Sequence, residues 1–80
     1  MSTIKLDLRG LLCPLPVIKT QNQIKSMQPG EQLEVVCTDP GALHDIPAWC
    51  RVHQHTVISA EKIEREIVII IEVNKHRFIC

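Results

Sequence analysis

Between Leu8 and Val17 the apolar pattern changes period, and the residues at that change dictate how the chain must turn. Ile4, Leu6 and Leu8 alternate with Lys5, Asp7 and Arg9, the two-residue repeat of a half-buried strand. From Val17 onward the apolar residues Val17, Ile18, Ile24 and Met27 recur at helical spacing, with Lys19, Asn22 and Lys25 on the opposite side. Gly10 ends the strand, and Cys13-Pro14-Leu15-Pro16 opens the helix. Proline has no backbone N–H and a φ preset near the helical value, so Pro14 suits the first helical position. On that reading Cys13 is the N-cap, its sulfur beside unpaired N–H groups at the positive end of the helix dipole. Such a place favours a thiolate and can bring a cysteine pKa well below its free value of ~8.5. Ser, Asp or Asn would cap better, so stability does not explain a cysteine there. The plain alternative is a small buried hydrophobe carried into the core by Leu11 and Leu12.

The same alternation continues. Pro29-Gly30 terminates the first helix, and Gln32 to Thr38 reads as a second strand with Leu33, Val35 and Cys37 on one face, which makes Cys37 a packing residue. Asp39-Pro40 repeats the cap-then-proline device. A second helical segment is expected from there to about His53, interrupted near Pro47, with Asp45 capping the restarted part. Thr56–Ala60 and Ile67–Val73 read as a closing hairpin with Glu61–Glu66 as its charged loop. The order β-α-β-α-β-β predicts an α/β two-layer sandwich: a four-stranded mixed sheet with both helices on one face. Residues 1–80 are read as one domain. Ile67, Ile69, Ile71 and Val73 would face the helices. Val68 and Ile70 would lie on the open face near Val36, either as scattered apolar residues or as a docking patch.

Charge and composition narrow the function. Nine basic and nine acidic side chains cancel, and Trp49 and Phe78 are the only aromatics. Neither a basic stripe nor a base-stacking platform is present, so direct nucleic-acid binding is not expected. No apolar run approaches the ~20 residues of a membrane helix, and the first residues lack the apolar segment of a signal peptide. A cytoplasmic location follows as the default, where Cys13, Cys37, Cys50 and Cys80 would stay reduced. Three other constellations compete with a reactive Cys13. Cys50, His53 and His55, with His44 and Cys37 as additions, carry zinc-type donors at a spacing that is not a recognised finger. A redox pair of Cys13 with Cys50 or Cys37 would have to be made by folding, since no Cys-x-x-Cys exists. A purely docking or regulatory module would use the fold alone. Trp49 reads as core rather than as a binding anchor.

Leu8-x-Gly10-x-x-Cys13-Pro14-x-Pro16, Met27-x-Pro29-Gly30-Glu31 and Asp39-Pro40-x-x-x-x-Asp45-Ile46-Pro47, in that order, resemble the TusA/SirA family of small sulfur-carrier proteins, over about Ile4 to Val73. The resemblance implies the β-α-β-α-β-β sandwich also seen in the C-terminal domain of bacterial translation initiation factor three. It implies that Cys13 accepts sulfur as a persulfide and relays it to an acceptor protein. Gly10, Pro14, Pro16, Asp39, Pro40 and Asp45 are then the supporting motif positions. The implied partners are a sulfur donor, such as a cysteine desulfurase or a rhodanese-like protein, and an acceptor. The pathway would be tRNA thiolation, cofactor maturation or sulfur oxidation. No cofactor, no metal and a monomer are expected. Two positions depart from the usual pattern. Leu15 stands where tRNA-thiolation members often carry Glu, and Leu12 where Arg or Lys is common. Both make the rim of the site more apolar.

Overall fold

A computed structural model describes residues 3–74. The elements run β1 (Thr3–Leu8), α1 (Leu15–Lys25), β2 (Gln32–Cys37), α2 (Ala42–Val52), β3 (Thr56–Ile63) and β4 (Glu66–Glu72). The strands form one sheet in the order β1-β2-β4-β3. β1 pairs parallel with β2, from Thr3 opposite Gln32 to Leu8 opposite Cys37. β4 pairs antiparallel with both β2 and β3. This is the expected two-layer α/β sandwich with a mixed sheet. β2 and β3 point the same way without touching, because β4 lies between them. The five consecutive β-branched residues Ile67 to Ile71 suit that central place, since stiff branched side chains pack well on a pleated surface.

The core lies between the sheet and the helices. Leu8, Leu33, Val35, Cys37, Ile67, Ile69, Ile71 and Val73 line it from the sheet side, and Ile24, Ala42, Ile46 and Cys50 close it from the helices. Cys37 is therefore a packing residue, as its place in the alternation implied. Trp49 is half-buried against the core and stacks on His53 and His55, with ring centroids 4.4 and 5.6 Å away. On the open face Val36 pairs directly with Val68, and Glu34 with Ile70. Charges break up this surface. Lys5 pairs with Glu34 at 3.7 Å, and Arg9 with Asp7 at 2.9 Å and Glu66 at 3.5 Å.

Several boundaries differ from the sequence expectation, each for a local reason. α1 stops at Lys25 instead of running to Pro29, because Ser26 turns its hydroxyl back on the Gln23 carbonyl and Met27 drops into the core. Its buried stripe is Pro16, Thr20 and Ile24, and Ile18 is exposed. α2 does not break at Pro47, which sits inside a continuous helix. Proline there removes one intrahelical donor, and the full burial of Ile46 and Cys50 on the same helix compensates. The hairpin is tighter than expected. β3 extends to Ile63, which pairs with Glu66 across a turn where Glu64 takes a positive φ of 57°. Turn chemistry of this kind normally announces itself as Gly or Asn, and neither is present here. Among the described residues no helix is long and apolar enough to cross a membrane.

Candidate functional site

Parallel pairing of β1 and β2 puts the C-terminal ends of both strands at one edge of the sheet, with Leu8 level with Cys37. The two strand-to-helix loops that follow, residues 9–14 and 38–41, must therefore meet. In open α/β sheets this edge is where ligands are usually met. Gly10 makes the first loop possible. Its φ of +84° is a conformation that side chains with a Cβ resist, and its N–H donates to Thr38 Oγ1 at 2.8 Å, tying the loops together.

The second tie carries the chemistry. The Cys13 backbone N–H donates to Asp39 Oδ2 at 2.7 Å, while Asp39 Oδ1 accepts the Gly41 N–H at 3.0 Å. Cys13 Sγ–H donates to Asp45 Oδ2 at 3.2 Å. Asp39, expected as the N-cap of the second helix, lies two residues ahead of the observed N-cap Gly41 and organises the turn that leads into it. Asp45 caps no restarted helix. It lies in the first turn of α2 and takes the thiol hydrogen instead. Pro40 lies between Asp39 and Gly41, its carbonyl accepting the Leu43 N–H.

The expected thiolate site at the head of α1 is corrected in two respects. The helix begins at Leu15 with Pro14 as its N-cap, so Cys13 stands one residue further out than expected. The Cys13–Pro14 peptide bond is cis. The prolines also strip the helix end of donors. Pro14 and Pro16 have no N–H, the Leu15 N–H is taken by the Leu12 carbonyl, and the Ile18 N–H by the Pro14 carbonyl. The electrostatics of Cys13 run the other way. The hydrogen bond to Asp45 raises the Cys13 pKa above its ordinary value, aided by partial desolvation and by the negative charges of Asp45 and Asp39. Cys13 rests as a thiol.

Cys13 is the one exposed cysteine among the described residues; Cys37 and Cys50 are buried. Burial pushes the Cys37 thiol to about 11, with Asp39 adding to the rise, and pushes the Cys50 thiol to about 12. Around Cys13 the surface is apolar: Leu12 is 72% exposed, Leu15 43% and Ile18 44%. The zinc-type constellation is not assembled. Cys50 faces the core, and His53 Nδ1 lies 3.1 Å from the Trp49 carbonyl. Among the described residues no group of three or more His, Cys, Asp or Glu side chains is arranged to hold a metal ion. Cys80 and Phe78 lie outside the described residues. Arg9 is engaged by Asp7 and Glu66.

The Asp45 contact with the thiol was the feature that sequence reading missed, although Asp45 stood in a motif. The signal was available in the topology. A βαβ unit with parallel strands brings the loops after β1 and β2 together.

A family model for sulfurtransferase TusA matches residues 4–73, which includes every residue of this edge. The chain belongs to the sulfurtransferase TusA family. YrkF of Bacillus subtilis (strain 168), described as a candidate sulfur carrier protein, is 40% identical over 60 residues. Those residues are 75% of this chain and 32% of YrkF, so the chain spans about a third of that relative's length. The fold is shared with a SirA-like protein from Desulfitobacterium hafniense, with a TM-score of 0.68 at 20% identity, covering 94% of this chain and all of that one. Membership in the TusA family supports a sulfur-carrier role.

Proposed function

We propose that the chain carries sulfur as a persulfide on Cys13, taking it from a donor protein and passing it to an acceptor protein. The observation that favours this reading is the exposure of Cys13 at the shared edge of the sheet, while Cys37 and Cys50 are shut in the core. A relay between proteins needs a sulfur that a second sulfur can approach in line. It needs a docking rim and no deep pocket. Exposed Leu12, Leu15 and Ile18 offer that rim. Their apolar character favours partners with an apolar contact surface.

The transfer balances without a co-reactant. The donor's persulfide anion gives up its outer sulfur to Cys13 Sγ. The S–S bond in the donor breaks and an S–S bond on Cys13 forms. The Cys13 thiol proton ends on the donor's released thiolate, and the loaded carrier leaves as the persulfide anion. Handing the sulfur on repeats the same exchange with the acceptor. Gly10, Pro14, Pro16, Asp39 and Pro40 act here by holding the two loops in place. Donors of the cysteine-desulfurase or rhodanese-like kind suit this chemistry.

The test is intact-mass spectrometry after the reduced protein is incubated with a cysteine desulfurase and cysteine, beside the Cys13→Ala variant. A gain of ~32 Da, one sulfur atom on the oxidation ladder of cysteine, is expected on the natural protein and not on the variant. Equal gain on both, or none on either, would defeat the proposal.

A further inference from the structure

The group that must change charge during transfer lies against a carboxylate. In the resting site the Cys13 thiol is neutral and donates its hydrogen to Asp45 Oδ2, 3.2 Å away. In the loaded site the thiol hydrogen is gone. The outer sulfur of a persulfide is more acidic than a thiol, so an anion then stands beside the same carboxylate. We propose that Asp45 sets the direction of sulfur flow: its carboxylate binds the unloaded thiol and repels the loaded persulfide anion, poising the carrier to give sulfur away. This rests on the carrier reading of Cys13.

Among the described residues the surroundings leave the effect uncompensated. From the loop before α2, Asp39 adds a second carboxylate, its Oδ2 fixed on the Cys13 N–H. The two carboxylates converge around Gly41, where an added Cβ would lie 3.5 Å from Asp39 Oδ1 and 3.6 Å from Asp45 Oδ2. From the loop before α1 and its first turn, the residues beside Cys13 are Leu12, Leu15 and the two prolines, which bring no charge and few donors. Just after β1, Arg9 is held by Asp7 and Glu66. Lys19, the first basic residue on α1, lies more than a turn from its start. Asp45 therefore acts as a positioning residue. Its hydrogen bond holds the Cys13 thiol against α2 while Cys13 stays exposed.

The experiment uses glutathione persulfide and glutathione at a fixed ratio as the sulfur couple. The outer sulfur moves to Cys13, and the thiol proton passes to glutathione. Persulfide on the Cys13 peptide is quantified by mass spectrometry at equilibrium for the natural chain, Asp45→Asn and Asp45→Ala. The pH profile of Cys13 alkylation is recorded on the same three proteins. Asn keeps an acceptor for the thiol and removes the charge. D45N should move the alkylation profile to lower pH. It should raise loading about two- to fivefold, the effect of one unit charge at roughly this distance in a water-exposed setting. Added salt should narrow the difference.

A merely structural Asp45 would move neither the pH profile nor the loading ratio when D45N folds normally. An unchanged loading ratio overturns the inference, even if the profile moves. Should both variants fail to fold, the natural chain still decides the matter. Its Cys13 must alkylate at higher pH when folded than in urea, and the opposite order overturns the inference. Failure of the natural chain to take up sulfur at Cys13 would overturn the carrier reading and this inference together.

Discussion

Thr20→Val should make this protein more stable. Thr20 is fully buried on the core face of α1, one turn after Pro16 and one turn before Ile24. Its hydroxyl Oγ1 has no hydrogen-bond partner among the described residues. A buried hydroxyl without a partner costs about 1–3 kcal/mol of desolvation. Valine keeps the branched shape and replaces the hydroxyl by a methyl group, and its helix propensity is close to that of threonine. A gain of about 1–2 kcal/mol is therefore expected. For a domain of this size each kcal/mol moves Tm by roughly 4–8 °C, so the melting point should rise by about 4 °C or more. Urea unfolding is the cleaner assay. The midpoint should rise with the slope unchanged, since the two proteins expose nearly the same surface on unfolding. Thr20→Ser, which keeps the hydroxyl and removes the methyl, should lose stability. A Thr20→Val protein destabilised by 1 kcal/mol or more would refute the reasoning, because it would mean that the hydroxyl is satisfied in solution. Cys13 alkylation should be untouched, since Thr20 lies inside and the thiol outside.

Other outcomes follow from the same geometry. Gly10→Ala meets no neighbour within 4 Å but must hold a φ of +84°, so chemical denaturation should show a loss of about 1–2 kcal/mol from left-handed backbone strain alone. Ile69→Ala empties a fully buried place in the central strand β4, and the resulting cavity should cost about 2–5 kcal/mol, read as the fall in urea midpoint. The buried Cys50 thiol is raised from 9.0 to about 12. A raised folded pKa means that its contribution to stability is full below pH 9 and is lost as pH climbs towards 12, while the unfolded thiol ionises first. Urea midpoints should therefore decline from pH 8 to pH 11, less steeply in Cys50→Ala. A flat profile in the natural chain would refute this.

Much of the architecture was legible because two short-range rules agreed along the chain. Period-2 alternation marked β1 and the core face of β4, and the helical stripe with Pro29-Gly30 beyond it marked α1 as an element. Local rules failed where a tertiary contact outweighed them. Met27 left the helix for the core, Pro47 stayed inside α2 because Ile46 and Cys50 bury fully on the same helix, and Ile18 yielded the buried stripe to Thr20. The Glu64 turn carried no turn residue to read.

By itself the sequence determined the elements, their order, the place of Cys13 just ahead of Pro14 and Pro16, and the motif pattern that points to the TusA family. What it could not determine was the protonation state of that thiol. A cysteine beside a helix start reads as a thiolate when only its own helix is considered. The parallel register of β1 and β2 brings a second loop and α2 against it, and the hydrogen bond to Asp45 makes the neutral thiol the resting form. Charge state depends on all neighbours in space, and the two carboxylates that matter here, Asp39 and Asp45, lie 26 and 32 residues away along the chain.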